Sequence, residues 1–171
     1  FQKFNSLYQL LAMKHSNSPI LEKASTLLFM PDLLRYFLTG EKSTEFTIAS
    51  TAQMLDAKNG GWDFSLLRKL GLPDNIYTDV INPGKVTGRL SKSVREELGV
   101  SDIPVIAVAE HDTGSAVVSV PAEDDKYAYL SSGTWSLLGV ELDKPIINDD
   151  TYNLNYINEG GFNGTVRLLK N

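Results

Sequence analysis

Three clusters in this sequence carry atoms that could do chemistry. A short apolar run, Ile103 to Val108, leads into Glu110, His111 and Asp112, followed by the small residues Gly114, Ser115 and Ala116. A carboxylate at the carboxyl end of a strand, at the mouth of a helix, is a common place for a catalytic group in α/β folds. It is equally a place where an Asp does no more than cap the helix, and the residues alone leave both readings of Asp112 open. The second cluster is Ser131-Ser132-Gly133-Thr134, a small-residue turn whose hydroxyls and backbone N–H groups could converge on a phosphate. Most Ser/Gly hairpin turns bind nothing. The third, Asn158-Glu159-Gly160-Gly161, reads as a loop with Glu159 expected to face solvent. His111 taken alone would be a satisfied polar residue.

The elements that must position these groups follow from periodicity and caps. Asn5 or Ser6 can cap a helix carrying Leu7, Leu10 and Leu11, ended by Ser16-Asn17-Ser18-Pro19. Ile20 to Phe29 is a second apolar stretch. Pro31-Asp32 opens a third helix whose Leu33, Leu34, Phe37 and Leu38 are expected in the core, with Thr39-Gly40 as its stop. The Ser and Thr content of Glu41 to Asp56 suits short strands and turns. Asn59-Gly60-Gly61 is a turn, and Asp63 caps a helix to Leu70. A strand is expected around Lys85 to Gly88, then a helix capped by Ser91 and closed by Gly99. A strand over Val105 to Val108 and a helix from about Thr113 to Ser119 follow. Pro121 to Lys126 is acidic and polar, a candidate linker. Tyr127 to Ser131 and Trp135 to Glu141 form a hairpin, and Thr165 to Leu169 a last strand or helix start.

Composition narrows the function classes. In 171 residues, 42% are hydrophobic and 22% charged, as in an ordinary globular protein. Sixteen basic and 21 acidic residues give a net charge of −5 with no dense basic patch, so nucleic acid is not expected as a partner. There is no cysteine and there are two histidines, His15 and His111, far apart, which excludes thiolate chemistry and makes a protein-held metal site unexpected. No apolar run approaches the ~20 residues of a membrane helix. The start at Phe1-Gln2-Lys3-Phe4 and the end at Leu168-Leu169-Lys170-Asn171 both read as the interior of a longer protein.

The order of the motifs carries more than any one of them. Pro104 to Thr113 (PVIAVAEHDT), Ala128 to Gly139 (AYLSSGTWSLLG) and Asn158 to Gly161 together resemble the FGGY carbohydrate kinases. Phe4 to Leu10, Met30-Pro31-Asp32 and Arg167 to Asn171 extend the resemblance over essentially the whole chain. It implies an α/β fold of the actin-like ATPase (ribonuclease H-like) type, in two domains closing on a cleft. Residues 1–120 would be the later part of the N-terminal, sugar-binding domain, 121–126 the linker, and 127–171 the start of the C-terminal, nucleotide-binding domain.

The same resemblance implies a cytoplasmic enzyme that uses ATP and Mg²⁺ to phosphorylate a small sugar. The two ends and the Glu-Gly-Gly stretch point to the 1-hydroxyl of L-rhamnulose as acceptor. Asp112 matches the general base. His111, Thr113 and Asn171 match positions at the sugar, and Thr134 the hairpin contact to ATP phosphates, with Ser132 and Gly133 shaping that turn. Two other readings stay open: an FGGY kinase for a related ketose or polyol, and a non-catalytic sugar- or nucleotide-binding relative. Glu110 departs from the small residue expected before the His-Asp pair. Facing inward it would raise the Asp112 pKa, but a solvent-facing, inconsequential side chain is expected. The family's first phosphate loop and its adenosine segment have no match in these residues, so the 171 residues alone are expected not to turn over.

Overall fold

A computed structural model describes residues 2–124 and 126–171; Phe1 and, within the candidate linker, Asp125 lie outside the described residues. The chain opens with α1 (Ser6–His15) and a short α2 (Pro19–Lys23), the only helical part of the second apolar stretch. Leu7 and Leu10 of α1 pack with Ala52, Met54, Leu67 and Leu72 in the main apolar core. Each such leucine contributes roughly 1.5–3 kcal/mol through removal from water. Asn5 occupies the N-cap of α1, but its side chain donates to Gln53 Oε1 at 3.0 Å instead of capping.

Helix α3 (Met30–Thr39) carries Pro31 in its first turn and is closed by Gly40, which takes the left-handed conformation (φ 79°) expected of a C-terminal glycine. Its expected apolar core face is overturned. Leu34 is 58% and Phe37 62% exposed, and the residues it buries are Asp32 and Arg35. The inward face of this helix is polar because it faces a buried ionic cluster. Next come β1 (Thr44–Glu45), α4 (Phe46–Ala49) and a 3₁₀ turn at Ser50–Ala52. Helix α5 (Phe64–Lys69) starts at Asp63, whose carboxylate accepts from the Leu66 N–H at 2.9 Å. Strand β2 (Val80–Ile81) pairs in parallel with β1. Strands β3 (Val86–Arg89) and β4 (Pro104–Ile106) pair antiparallel, flanking α6 (Lys92–Leu98), which Ser91 caps and Gly99 closes (φ 64°). Helix α7 (Asp112–Val118) follows β4 after a five-residue corner, 107–111, because the strand ends at Ile106, two residues before the expected Val108.

Beyond the polar segment at 121–126 the chain builds one antiparallel sheet in the order β5-β6-β8-β7 from β5 (Ala128–Ser132), β6 (Ser136–Leu142), β7 (Ile157–Gly160) and β8 (Val166–Lys170). A short helix, α8 (Asp149–Asn153), links β6 to β7, with Asn148 capping it. Among the described residues, no strand before residue 128 joins this sheet. The Asn158–Gly160 stretch, expected as a loop, is strand β7, paired with β8 in register Glu159 to Arg167. The sheet docks on the first part of the chain through β7: Gly160 N–H donates to Ser50 Oγ at 2.7 Å. A Cβ on Gly160 would lie 2.6 Å from the Phe46 ring, so only glycine permits this approach. Among the described residues no helix is long and apolar enough to cross a membrane, and no three metal-ligating side chains cluster.

Candidate active site

The corner between β4 and α7 is hung on the buried segment Glu45–Ile48. Glu45 is fully buried, and its Oε2 accepts from Glu110 N–H at 3.0 Å and from the Thr47 hydroxyl at 2.5 Å. Thr47 Oγ1 in turn accepts from His111 N–H at 3.1 Å. Ser115 Oγ returns to Ala109 O at 2.5 Å. The backbone at Glu110 and His111 is thus fixed by side chains more than sixty positions upstream. Burial pushes the Glu45 carboxyl above its ordinary value, against the pull of hydrogen bonds from Thr47 and Ile48. Burial does the same to Asp32, against the Glu45 N–H and the Arg35 guanidinium.

Glu110 is not the solvent-facing residue expected. Its side chain is 6% exposed and pairs with Arg35, which also bonds Asp32 Oδ1 at 3.0 Å and Ser43 O at 2.8 Å. The Arg35 cation draws Glu110 inward, toward α3, and its partner is Arg35 instead of Asp112. Glu159 is likewise corrected: it is buried, with Oε2 3.2 Å from Arg167 Nη2 and 3.3 Å from His111 Nδ1. An arginine sharing its strand pair is what holds it inside.

Asp112 is the first residue of α7, and His111 occupies the N-cap position without a capping side-chain bond. The Asp112 side chain is 96% exposed, with Oδ1 accepting from Thr113 N–H at 2.7 Å and standing 3.5 Å from His111 Nε2. It makes none of the longer-range bonds of an N-cap side chain. Thr113 is buried behind it.

His111, Asp112, Thr113, Gly133, Thr134 and Asn171 all line one cleft of about 960 Å³. Residues drawn from the corner, the β5–β6 hairpin and the chain end therefore meet on one space. Ser132 is the exception among the candidates. Its hydroxyl lies 3.0 Å from Ser136 Oγ across the hairpin, and Ser131 lines the cleft instead. Gly133 N–H closes the turn onto Trp135 O at 2.8 Å, and nothing lies within 4 Å of where its Cβ would be. The space over the turn is open to a ligand.

A sequence model of the N-terminal domain of the FGGY family of carbohydrate kinases matches residues 1–119. The chain belongs to the FGGY family. Among curated FGGY relatives, a rhamnulokinase of Bacteroides thetaiotaomicron is 52% identical over 98% of this chain and 35% of its own length. One of Oceanobacillus iheyensis is 48% identical over 100% of this chain and 36% of its own. The chain spans about a third of the length of these relatives. Solved FGGY-type folds superpose closely. A ligand-bound xylulose kinase from Lactobacillus acidophilus matches with a TM-score of 0.82 at 21% identity, covering 98% of this chain and 34% of that one. A Plasmodium falciparum glycerol kinase with ADP matches at 0.81 and 18% identity, covering 99% and 35%. The fold is thus the α/β, actin-like ATPase fold of the sugar kinases.

The sequence reading missed Glu45, Thr47, Arg35 and Arg167. A signal existed for the last: Arg167 shares its strand parity with buried Leu169, so alternation alone points it inward.

Proposed function

We propose that this chain is the part of an ATP-dependent sugar kinase that holds the acceptor base and one phosphate hairpin. Residues 1–120 then belong to the sugar-binding domain and 127 onward to the nucleotide-binding domain. The observation that carries the reading is the opening of the Asp112 carboxylate onto the cleft that Gly133, Thr134 and Asn171 also line. Phosphoryl transfer asks a protein for positioning, charge stabilisation and an acceptor for one proton. Asp112 takes the proton of the attacking hydroxyl, whose oxygen bonds to the γ-phosphorus as the bond to the β–γ bridging oxygen breaks and ADP leaves. His111, Thr113 and Asn171 hold the sugar beside that base. Gly133 and Thr134 face the phosphates, and Ser132 keeps the turn closed through Ser136.

ATP fits the hairpin because the space above Gly133 is open and the Thr134 side chain is exposed. Mg²⁺ bound to the nucleotide supplies charge neutralisation at the phosphates. No protein ligand for it is assigned. High identity to rhamnulokinases supports L-rhamnulose as the sugar and its 1-hydroxyl as the acceptor, in a cytoplasmic setting where ATP is supplied.

The test is a coupled ADP-release assay on the natural-length protein with ATP, Mg²⁺ and a panel of ketoses and polyols, with NMR of the product. L-Rhamnulose should give the highest kcat/KM and a 1-phosphate product. A better substrate elsewhere in the panel would replace the sugar assignment, and ATP and sugar binding without turnover would replace kinase by binding protein.

A further inference from the structure

Arg167 is fully buried at the centre of the sheet, on β8 between β6 and β7. Its Nε donates to Gly160 O at 2.9 Å, and its Nη2 lies 3.0 Å from His111 Nδ1. A guanidinium has donors only. A nitrogen that receives its N–H must offer a lone pair, so Nδ1 is bare. In a neutral imidazole the proton then sits on Nε2.

One arrangement competes. A proton on Nδ1 could be donated to Glu159 Oε2, 3.3 Å away. The alignment decides against it. That oxygen is buried with no N–H or O–H of the described residues directed onto it as a hydrogen bond, whereas the Arg167 N–H is directed onto Nδ1. Glu159 therefore serves Arg167 as a counter-charge at 3.2 Å, compensating a buried cation, and not His111 as an acceptor. On the far side of the ring, Nε2 stands 3.5 Å from Asp112 Oδ1, at the cleft.

We propose that Arg167, balanced by Glu159, is a positioning residue that locks His111 as the Nε2–H tautomer, so that the ring presents an N–H into the cleft beside Asp112. That N–H is a donor for an oxygen of the acceptor sugar; calling the ligand a sugar rests on the kinase reading, while the tautomer does not. The arrangement also ties two halves of the site together. Arg167 lies on β8, which pairs with β6, the strand that leaves the Gly133–Thr134 hairpin. The donor at the acceptor site is thus set by the same sheet that carries the phosphate hairpin.

The test uses the natural-length protein labelled with ¹⁵N-histidine, with the His111 ring assigned by its loss in His111→Gln. Long-range ¹⁵N–¹H correlation at neutral pH should show a protonated Nε2 and a bare Nδ1. A ring protonated on Nδ1 overturns the proposal. Arg167→Met should give a mixture of tautomers and lower kcat/KM for the acceptor by about tenfold to hundredfold, with the KM for ATP changed less than about threefold. A folded Arg167→Met protein with an unchanged tautomer overturns it too. Should that variant not fold, the wild-type spectrum decides, and Glu159→Gln, which keeps the side-chain shape, should weaken the tautomer preference in the same direction. If the protein phosphorylates no sugar, the kinase reading fails while the spectrum still decides the Arg167–His111 assignment.

Discussion

Replacing Glu45 by Gln should destabilise the protein by an amount that depends on pH in a definite direction. The carboxylate accepts four hydrogen bonds: Oε1 from Thr47 N–H at 2.9 Å, and Oε2 from Thr47 Oγ1 at 2.5 Å, Ile48 N–H at 3.2 Å and Glu110 N–H at 3.0 Å. An amide with its oxygen on the Oε2 side keeps three of these. Its NH₂ then faces the Thr47 N–H, leaving a buried donor against a donor at about 1–3 kcal/mol.

The wild-type carboxyl titrates and the amide does not. Burial raises the folded pKa of Glu45 above its ordinary value of 4.5, so its contribution is full below that value and is lost as pH rises through the raised one. Removing the Glu45 charge also relieves buried Asp32, whose proximity raises the Glu45 pKa, and this favours the variant at higher pH as well. The stability gap between wild type and Glu45→Gln should therefore narrow between about pH 4 and about pH 7.5. Calorimetric melting of both natural-length proteins at the two pH values measures it. A gap that widens with pH would refute the reasoning, because it would mean that the hydrogen bonds outweigh burial and hold Glu45 ionised.

Gly160→Ala should cost about 1–3 kcal/mol, read as a lowered melting temperature, since its Cβ would meet the Phe46 ring at 2.6 Å and the backbone there also donates to Ser50. Thr134→Ala should raise the KM for ATP by about tenfold with the sugar KM changed less than about threefold, measured by steady-state kinetics with each substrate varied. Equal effects on both substrates would remove Thr134 from the phosphate side.

Where local chemistry decides, the sequence was informative. Ser91 and Asp63 cap the helices they precede, Gly40 and Gly99 close theirs, and the Ser-Gly-Thr turn joins two strands. The motifs led to a corner and a hairpin that line one cleft. The errors share a cause. Glu110 and Glu159 look like surface acids because the cations that draw them inside, Arg35 and Arg167, belong to other elements, and no local pattern reveals such a partner. The α3 stripe misled for the related reason that its Asp32 and Arg35 satisfy each other and so can occupy the inward face. Asp112 reads as either cap or base, and the structure leaves its carboxylate exposed, accepting from the next N–H and 3.5 Å from His111 Nε2.

The central claim is that Asp112 accepts the proton of the attacking hydroxyl. It is tested most directly by single-turnover phosphoryl transfer in Asp112→Asn, alongside calorimetric titration with ATP and with the sugar. Because the side chain is exposed and its contacts are local, to Thr113 N–H and the His111 ring, the variant should fold and bind ATP within about threefold of wild type while its chemical step slows by about a hundredfold to ten-thousandfold. A transfer rate within about tenfold of wild type, with binding intact, would contradict the account.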